Sequence, residues 1–548
     1  MSDFDYIIIG GGHNGLVCAA YLARAGQRVA VLERYAILGG YITTEEIPAA
    51  PGYRLNIGAM EHISIFDTPI LSDLELEKYG LEYLFREPLY LFPFPDGSDL
   101  PVYRSIERTA AEIARFSAHD AAAYRPFMEF SAAFLGILGA VSFGPPPTFG
   151  ELAGMMSAQV GLDTDRALRV LLTDPRTVLN EWFDHPKVKA ALGYYGAHTQ
   201  TAPSQPGAGF APMIMVGSHL SGVARPRGGS GRLNDALAAV IIAHGGTVRT
   251  NAGVRRVRVE NGRAVGVVLE SGEGITAEKG VVSAVDAVRL FLDLVDEEHT
   301  SPELRRALRN VRIAGTNISE FKVDCALSGP LDWSRFPHGE EFSVGMYLIC
   351  PSLEYLDLAF ADIRRGLPPE EPAMMVCTPS ALDPTLAPPG GHTLWLSAFA
   401  PYDRRDGRSW DKTKEKYADL LLDRLAQYAP NVRDVIIARE VTSPLDWHRR
   451  TGSIRGNPNH LDMTLDQILG YRPIPALSRY RTPIRGLYLT GSGTHPGGGL
   501  SGNPGYNTAQ VVLQDLGLVP PPERKGLVER VRRLTSLFDI YRRLRKYL

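Results

Sequence analysis

The chain has 548 residues, 44% apolar and 22% charged, with a formal net charge of -3. That length exceeds one ordinary hydrophobic core and predicts more than one lobe. The near-neutral charge excludes sequence-independent nucleic-acid binding as a main task. Cys18, Cys325, Cys350 and Cys377 show no metal-ligand spacing and read as small buried hydrophobes, which fits a reducing compartment. Asp3 and Asp5 stand where a leader's positive segment would lie, and no apolar run reaches ~18 residues. We therefore expect neither a signal peptide nor a spanning helix.

Asp5 to Ile9 predicts a short strand buried on both faces. Gly10, Gly12 and Gly15 follow with GxGxxG spacing. The first glycine permits a tight turn, the second lets backbone approach a pyrophosphate, and the third lets helix pack on strand. A helix carrying Leu16, Ala19, Ala20 and Ala23 then runs to Gly26, its positive end toward the phosphates. His13 and Asn14, inside the loop, read as shaping backbone or contacting ribose. A second strand, Arg28 to Leu32, ends at Glu33, 23 positions after Gly10, where a ribose-binding carboxylate is expected; Arg34 follows it. The strand, the helix and the acid together make this a dinucleotide site rather than a chance glycine-rich turn. Gly39-Gly40, in ERYAILGGYITTEE, adds a second close backbone approach suited to a long cofactor.

Further on, LNIGAMEHISIF supplies two acid–base candidates, Glu61 and His62. Residues 100–222 are mostly helical in pattern. The stretch Phe130 to Phe143, ending at Pro145-Pro146-Pro147, reads as a buried helix or tunnel wall. Ala224 to Gly272 reads as a glycine turn, an amphipathic helix with Leu233, Leu237, Val240 and Ile241, and alternating strands that include Val254. The strand Gly280 to Val285 returns to the first sheet. Residues 290–483 mix strands, Ile318 to Leu327 and Thr393 to Phe399, with a helix from Asp411 to Tyr428.

From Gly486 the chain reads GLYLTGSGTHPGGGLSGNPGYNTAQ. A strand at Leu487 to Thr490 enters a glycine-rich loop, and a helix leaves from about Tyr506, so the loop cradles a ligand and is not a linker. Beyond Pro520-Pro521-Pro522, Leu527, Val531, Leu534, Phe538, Tyr541 and Leu548 recur at helical spacing. Nine basic and two acidic residues lie from Arg524 onward. Such a helix suits an anionic membrane interface, or alternatively a dock on its own protein. No His/Asp/Glu cluster has metal spacing, so no metal is expected, and no GxSxG elbow occurs.

The blocks VLNEWFDHPKVKAAL, GVARPRGGSGRL, LDPTLAPPGGHTLW, NHLDMTLDQILGYRPIP and TPIRGLYLTGSGTHPGGGLSG carry a resemblance over Asp5 to about Leu516. With the glycine fingerprint they resemble the FAD-binding amine oxidase and phytoene desaturase superfamily, and within it the FAD-dependent, desaturase-like β-carotene ketolases. Two positions depart from that pattern: Tyr41-Ile42 stand where small residues are usual, and Tyr506 where related ketolases carry Arg.

The resemblance implies FAD as cofactor, held by Gly10, Gly12, His13, Asn14, Gly15, Glu33, Arg34, Gly39, Gly40, Val254, Gly491, Gly493, Thr494, His495, Gly498, Gly499 and Asn507. His495 reads chiefly as shaping its loop. The resemblance further implies His62, then Glu61, as polar groups near the reacting end, and a hydrophobic carotenoid substrate collected from a membrane. The alternatives are a carotenoid desaturase or isomerase, an amine oxidase, and a carotenoid carrier. The expected fold is α/β (α+β overall). A Rossmann-like FAD-binding lobe (1–99, 223–289, 484–518) interleaves with a mixed-sheet and helical substrate lobe (100–222, 290–483), followed by the basic tail (519–548). The expected location is cytoplasmic, peripheral on the inner face of a membrane, with a quinone or dioxygen as electron acceptor.

Overall fold

A computed structural model describes residues 2–159 and 162–520. The expected basic helix therefore lies outside the described residues. The first sheet has a parallel centre in the order Leu487–Leu489, Gly274–Ser283, Phe4–Ile9, Val29–Leu32, Thr247–Arg249. In register, Ile7 lies between Ala30 and Val281. An antiparallel pair, Val254–Glu260 and Arg263–Leu269, extends from the front half of Gly274–Ser283.

The apolar run of the first strand is explained by cover on both faces. Tyr6 and Ile8 pack with Leu16 and Leu22 of the helix His13–Arg24, Leu233 and Leu237 of Arg232–Ala243, and Val511 and Val512 of Asn503–Asp515. Ile7 and Ile9 face the other way, toward Val257, Val267, Leu290 and Phe291. The last helix among the described residues begins at Asn503, three residues before the sequence signal. Pro504 sits in its first turn, where its missing N–H costs nothing.

The second sheet is mixed, in the order Ile436–Thr442, Ile318–Leu327, His392–Pro401, Met374–Cys377, Met346–Ile349, Tyr90–Pro93, Asp99–Val102. Period-two alternation sorts its faces. Phe321, Val323, Cys325 and Leu327 pack with Tyr417, Leu421 and Leu425 of the helix Trp410–Ala426. Met375, Trp395 and Phe399 join Phe127, Phe134, Leu179 and Tyr194 on the opposite side. The helix Ala118–Val141 supplies two of these and contains most of the apolar stretch noted above. Its start is capped by Ser117, whose side chain accepts from Asp120 N. Among the described residues no helix is long and apolar enough to cross a membrane. The hairpin Tyr90–Val102 joins this second sheet through a parallel pairing with Met346–Ile349, so the chain passes repeatedly between the two sheets.

Candidate cofactor and active site

A cavity of about 1190 Å3, including its open mouth, lies at the carboxyl ends of the parallel strands. Gly10, Gly12, His13, Asn14, Gly15, Glu33, Arg34, Gly39, Gly40, Val254 and Gly491 all line it. Gly15 is required by packing, since a Cβ there would stand 2.3 Å from Gly10 O. Gly12 is different: its Cβ would meet nothing within 4 Å and would project into free space. Gly39 N donates to Gly11 O at 2.9 Å, forming a bridge that closes the two glycine loops on one another.

Glu33 accepts from Gly11 N at 2.7 Å and Tyr35 N at 2.8 Å. Burial pushes its carboxyl up, and the two amides oppose that rise. Asp286, on the same wall, is pushed up to about 6 by burial while it caps Arg289 N. Arg34 donates to Arg449 O at 2.6 Å and Arg289 to Gly452 O at 2.6 Å.

A third wall escaped the sequence reading: Arg450, Thr451, Gly452, Ser453, Pro458 and His460. Its only signal is the cluster of turn residues in RRTGSIRGNPNH, which matches no phosphate-loop spacing. Tyr41, one of the departures, fits against this wall. It stacks on Trp447 with ring centroids 4.8 Å apart, and its hydroxyl lies 2.6 Å from Ser453 Oγ.

The cavity suits a dinucleotide flavin. Gly12 would admit a pyrophosphate over the start of the first helix. His13 Nε2, Asn14 Oδ1 and His460 Nδ1 are buried ring or amide atoms with no protein partner. Glu33, after Val29–Leu32, would take the ribose, and Ser492, after Leu487–Leu489, lines the cavity three strands across the sheet, with His460 against Gly491.

The other expected cofactor residues do not line the cavity. Gly493 packs on His460, and Gly498 packs on Asn459. Thr494 Oγ1 donates to Gly491 O at 2.9 Å. Gly499 contributes a positive-φ turn. His495 Nε2 lies 2.8 Å from Val141 O, and Asn507 spends its amide on Ser142, Gly144 and Tyr480. These six residues hold and shape the loop around the cavity, and a buried polar side chain in such a loop gives no sequence clue to which role it has.

His62 and Glu61 sit at the seam between the two sheets. His62 is fully buried, its backbone paired with Ala224, its Nδ1 2.8 Å from the Tyr83 hydroxyl and its Nε2 unpartnered. Burial, and then the nearby His13, lower its pKa to about 3, so it is a neutral imidazole. Glu61 is held as a carboxylate. Burial raises its pKa, but Arg86 at 2.5 Å and Arg225 at 2.9 Å bring the net shift below the usual range. It has no proton to give, and its structural role is to pair with two guanidiniums that are themselves buried, offsetting one of their two charges. Across the second sheet, Lys322 Nζ lies 2.9 Å from Asp324 and 3.7 Å from the centre of the Trp395 ring, and Trp395 Nε1 donates to Gly58 O.

The fold brings a carboxylate oxygen of Asp184 within 4.8 Å of ligand atoms of His119 and Asp120, which are neighbours in sequence. The Asp120 carboxylate already accepts the amides of Asp184 and His185, each at 2.9 Å.

A parallel sheet with a glycine-rich cradle at its carboxyl edge, joined to a second mixed-sheet lobe, defines a flavoprotein oxidoreductase. The chain belongs to the flavin containing amine oxidoreductase family, whose model matches residues 15–512. It is an FAD-dependent enzyme of the amine oxidase and phytoene desaturase superfamily. It is 33% identical to pyridine nucleotide-disulfide oxidoreductase domain-containing protein 2 of Rattus norvegicus, over 94% of each chain. It is 29% identical to a component chain of the limonene dehydrogenase of Castellaniella defragrans, over 94% of this chain and 95% of that one. With the lycopene-forming phytoene desaturase of a Paracoccus species it shares 26% identity over 93% of this chain and 97% of that one. In fold it is similar to an oxidoreductase from Methanosarcina mazei (TM-score 0.61, 17% identity, 93% of this chain and 99% of that one).

Proposed function

We propose that the enzyme oxidises a neutral, apolar isoprenoid at an activated C–H, and that its specific reaction is the conversion of ring carbons of a β-carotene-type carotenoid to ketones. The observation that carries this is the charge at the seam. One carboxylate, Glu61, faces two guanidiniums, Arg86 and Arg225, so the local balance is positive and repels an ammonium substrate. Met60, next to Glu61 in the chain, packs into the buried apolar cluster of the second lobe with Met375, Trp395 and Phe399, so the surroundings of the seam are apolar. FAD supplies the hydride acceptor. This chain's residues would bind it through the cradle and place the neutral His62, with a free ring nitrogen, beside the seam. Relatives named for limonene and phytoene support a hydrocarbon substrate. Desaturation without oxygen insertion is the second reading, favoured by those same relatives.

The test is incubation of the flavin-loaded enzyme with β-carotene and with phytoene in liposomes, followed by product masses. Gain of oxygen with loss of hydrogen supports ketolation, and loss of hydrogen alone supports desaturation. Flavin reduction by amines but by neither polyene would overturn both. Each ketone needs two successive two-electron oxidations of its ring carbon, through an alcohol, with water or dioxygen supplying the oxygen atom, and a quinone or dioxygen reoxidises the flavin. We further propose that the basic tail holds the enzyme to the inner, anionic face of a membrane, where such a substrate resides.

A further inference from the structure

Arg472 is completely buried, and no carboxylate among the described residues lies within ion-pair distance of it. Its guanidinium is satisfied by backbone carbonyls alone. Nε and Nη2 donate to Ser492 O at 2.9 and 2.6 Å, and Nη2 also donates to Asn459 O at 2.6 Å. Nη1 donates to Gln467 O at 3.1 Å and Asp462 O at 3.2 Å. Carbonyl dipoles solvate a cation without cancelling its charge. The nearest acid influence is Asp462, whose carboxylate is turned to Gly315 N at 2.9 Å.

Placement gives that charge a target. Ser492, which Arg472 grips, and His460, one residue beyond Asn459, both line the cofactor cavity. Ser492 follows Leu487–Leu489, which stands three strands across the sheet from the strand that runs into Glu33, and a Gly491 Cβ would meet His460 at 3.2 Å. With adenosine ribose at Glu33 and pyrophosphate over Gly12, the flavin half would fall on this side. We propose that Arg472 is an electrostatic positioning residue that sets the reactivity of the bound flavin. Its uncancelled charge, beneath the Gly491–Ser492 turn, stabilises the negative charge the flavin gains on accepting a hydride from substrate. The inference rests on FAD lying in this direction.

Met463 permits a test that leaves the carbonyl clasp in place. It is half-buried, and a Cβ on Gly497 would lie 2.8 Å from Met463 Sδ and 3.4 Å from Arg472 Nε, so both side chains abut the same glycine. Met463→Glu brings a carboxylate within reach of the guanidinium, and Met463→Gln is the neutral control of the same shape. Sulfite is the probe. It adds to flavin N5, a nitrogen–sulfur bond forms, the electron pair goes to the ring, and the flavin absorbance bleaches.

We expect Met463→Glu to bind sulfite about tenfold more weakly than Met463→Gln, with a two-electron midpoint lower by about 30 mV, at unchanged flavin content. Arg472→Lys should stay near wild type in midpoint, and Arg472→Met should fall. If Arg472→Met holds no flavin, the Met463 pair decides. Equal sulfite affinity in the two Met463 variants overturns the inference and leaves FAD binding standing. A wild-type protein that holds no flavin would instead overturn the cofactor assignment itself.

Discussion

Asn507 brackets the end of the long helix of the second lobe: its Oδ1 accepts from Gly144 N at 2.8 Å, and its Nδ2 donates to Ser142 O at 2.9 Å. The same Nδ2 meets the Tyr480 hydroxyl at 3.0 Å. Asn507 thus fastens the helical layer to the cofactor loop without lining the cavity. Asn507→Ala leaves a buried amide and carbonyl unpaired and should cost roughly 2–4 kcal/mol. Thermal unfolding should shift down while the flavin spectrum of the folded protein stays unchanged. A variant with wild-type stability and no flavin would return Asn507 to the cofactor.

Gly12 and Gly15 should fail in different ways. Gly12→Val adds a side chain where nothing stands within 4 Å, so the apoprotein should unfold at the wild-type temperature yet retain no FAD after gel filtration. Gly15→Val drives a side chain into Gly10 O, and the fold itself should weaken by several kcal/mol. Circular dichroism melts with flavin absorbance separate the two outcomes.

Removing the Glu61 carboxylate strands two buried cations. Glu61→Ala should destabilise by roughly 3–5 kcal/mol, more than Glu61→Gln, which keeps a hydrogen-bond acceptor. Because the folded pKa lies below the unfolded one, Glu61 adds stability above the unfolded value and loses it as pH falls through the folded value. Its ionisation should therefore leave no mark on the pH–rate profile near neutrality. An acid limb near neutrality that vanishes in Glu61→Gln would contradict this.

Three fully buried histidines make the fold acid-sensitive. His62 is lowered to about 3, and His219 and His495 to about 4, all chiefly by burial. The unfolded chain takes up these protons near pH 6.5 and the folded chain does not, so stability is full above that value. It falls with acid by at most about 1.4 kcal/mol per pH unit for each histidine. Asp286 and Asp324, raised to about 6 and about 7, titrate with the opposite sign and offset part of the loss. Denaturant midpoints should drop between pH 6.5 and 4, and His219→Gln should shallow the slope.

The tail offers a separate test. Deleting residues 523–548 should release the protein from anionic liposomes in flotation and leave FAD content intact. Undiminished flotation would discard the membrane role.

The cradle was legible because glycine at Gly12 and Gly15 answers a steric demand, and Glu33 follows at a fixed distance. The strand Phe4–Ile9 announced itself by an apolar run that needs cover on both faces, and Ile318–Leu327 by its period-two pattern. The wall around Arg450 to His460 stayed hidden, because it reaches the cavity through tertiary packing, which leaves no periodic trace. Glu61 was legible as a polar group, but its partners are Arg86, just after Tyr83–Phe85, and Arg225, in Ala224–Pro226, which only the pairing of those distant segments brings together. Asn507 reads as a cofactor contact for the same reason, because sequence shows a polar residue near a glycine loop and not what it faces, whereas the loop-shaping role read for His495 agrees with its contact to Val141 O.

The placement of Leu487–Leu489 against Gly274–Ser283 has a biosynthetic consequence. Until that late strand and the helix Asn503–Asp515 leave the ribosome, one face of the parallel sheet lacks one of its three covering helices and Gly491 and Ser492 are missing from the cavity. Flavin uptake is thus an event of the finished chain. Cells short of flavin should accumulate full-length apoprotein, with no pool of stalled, partly folded fragments.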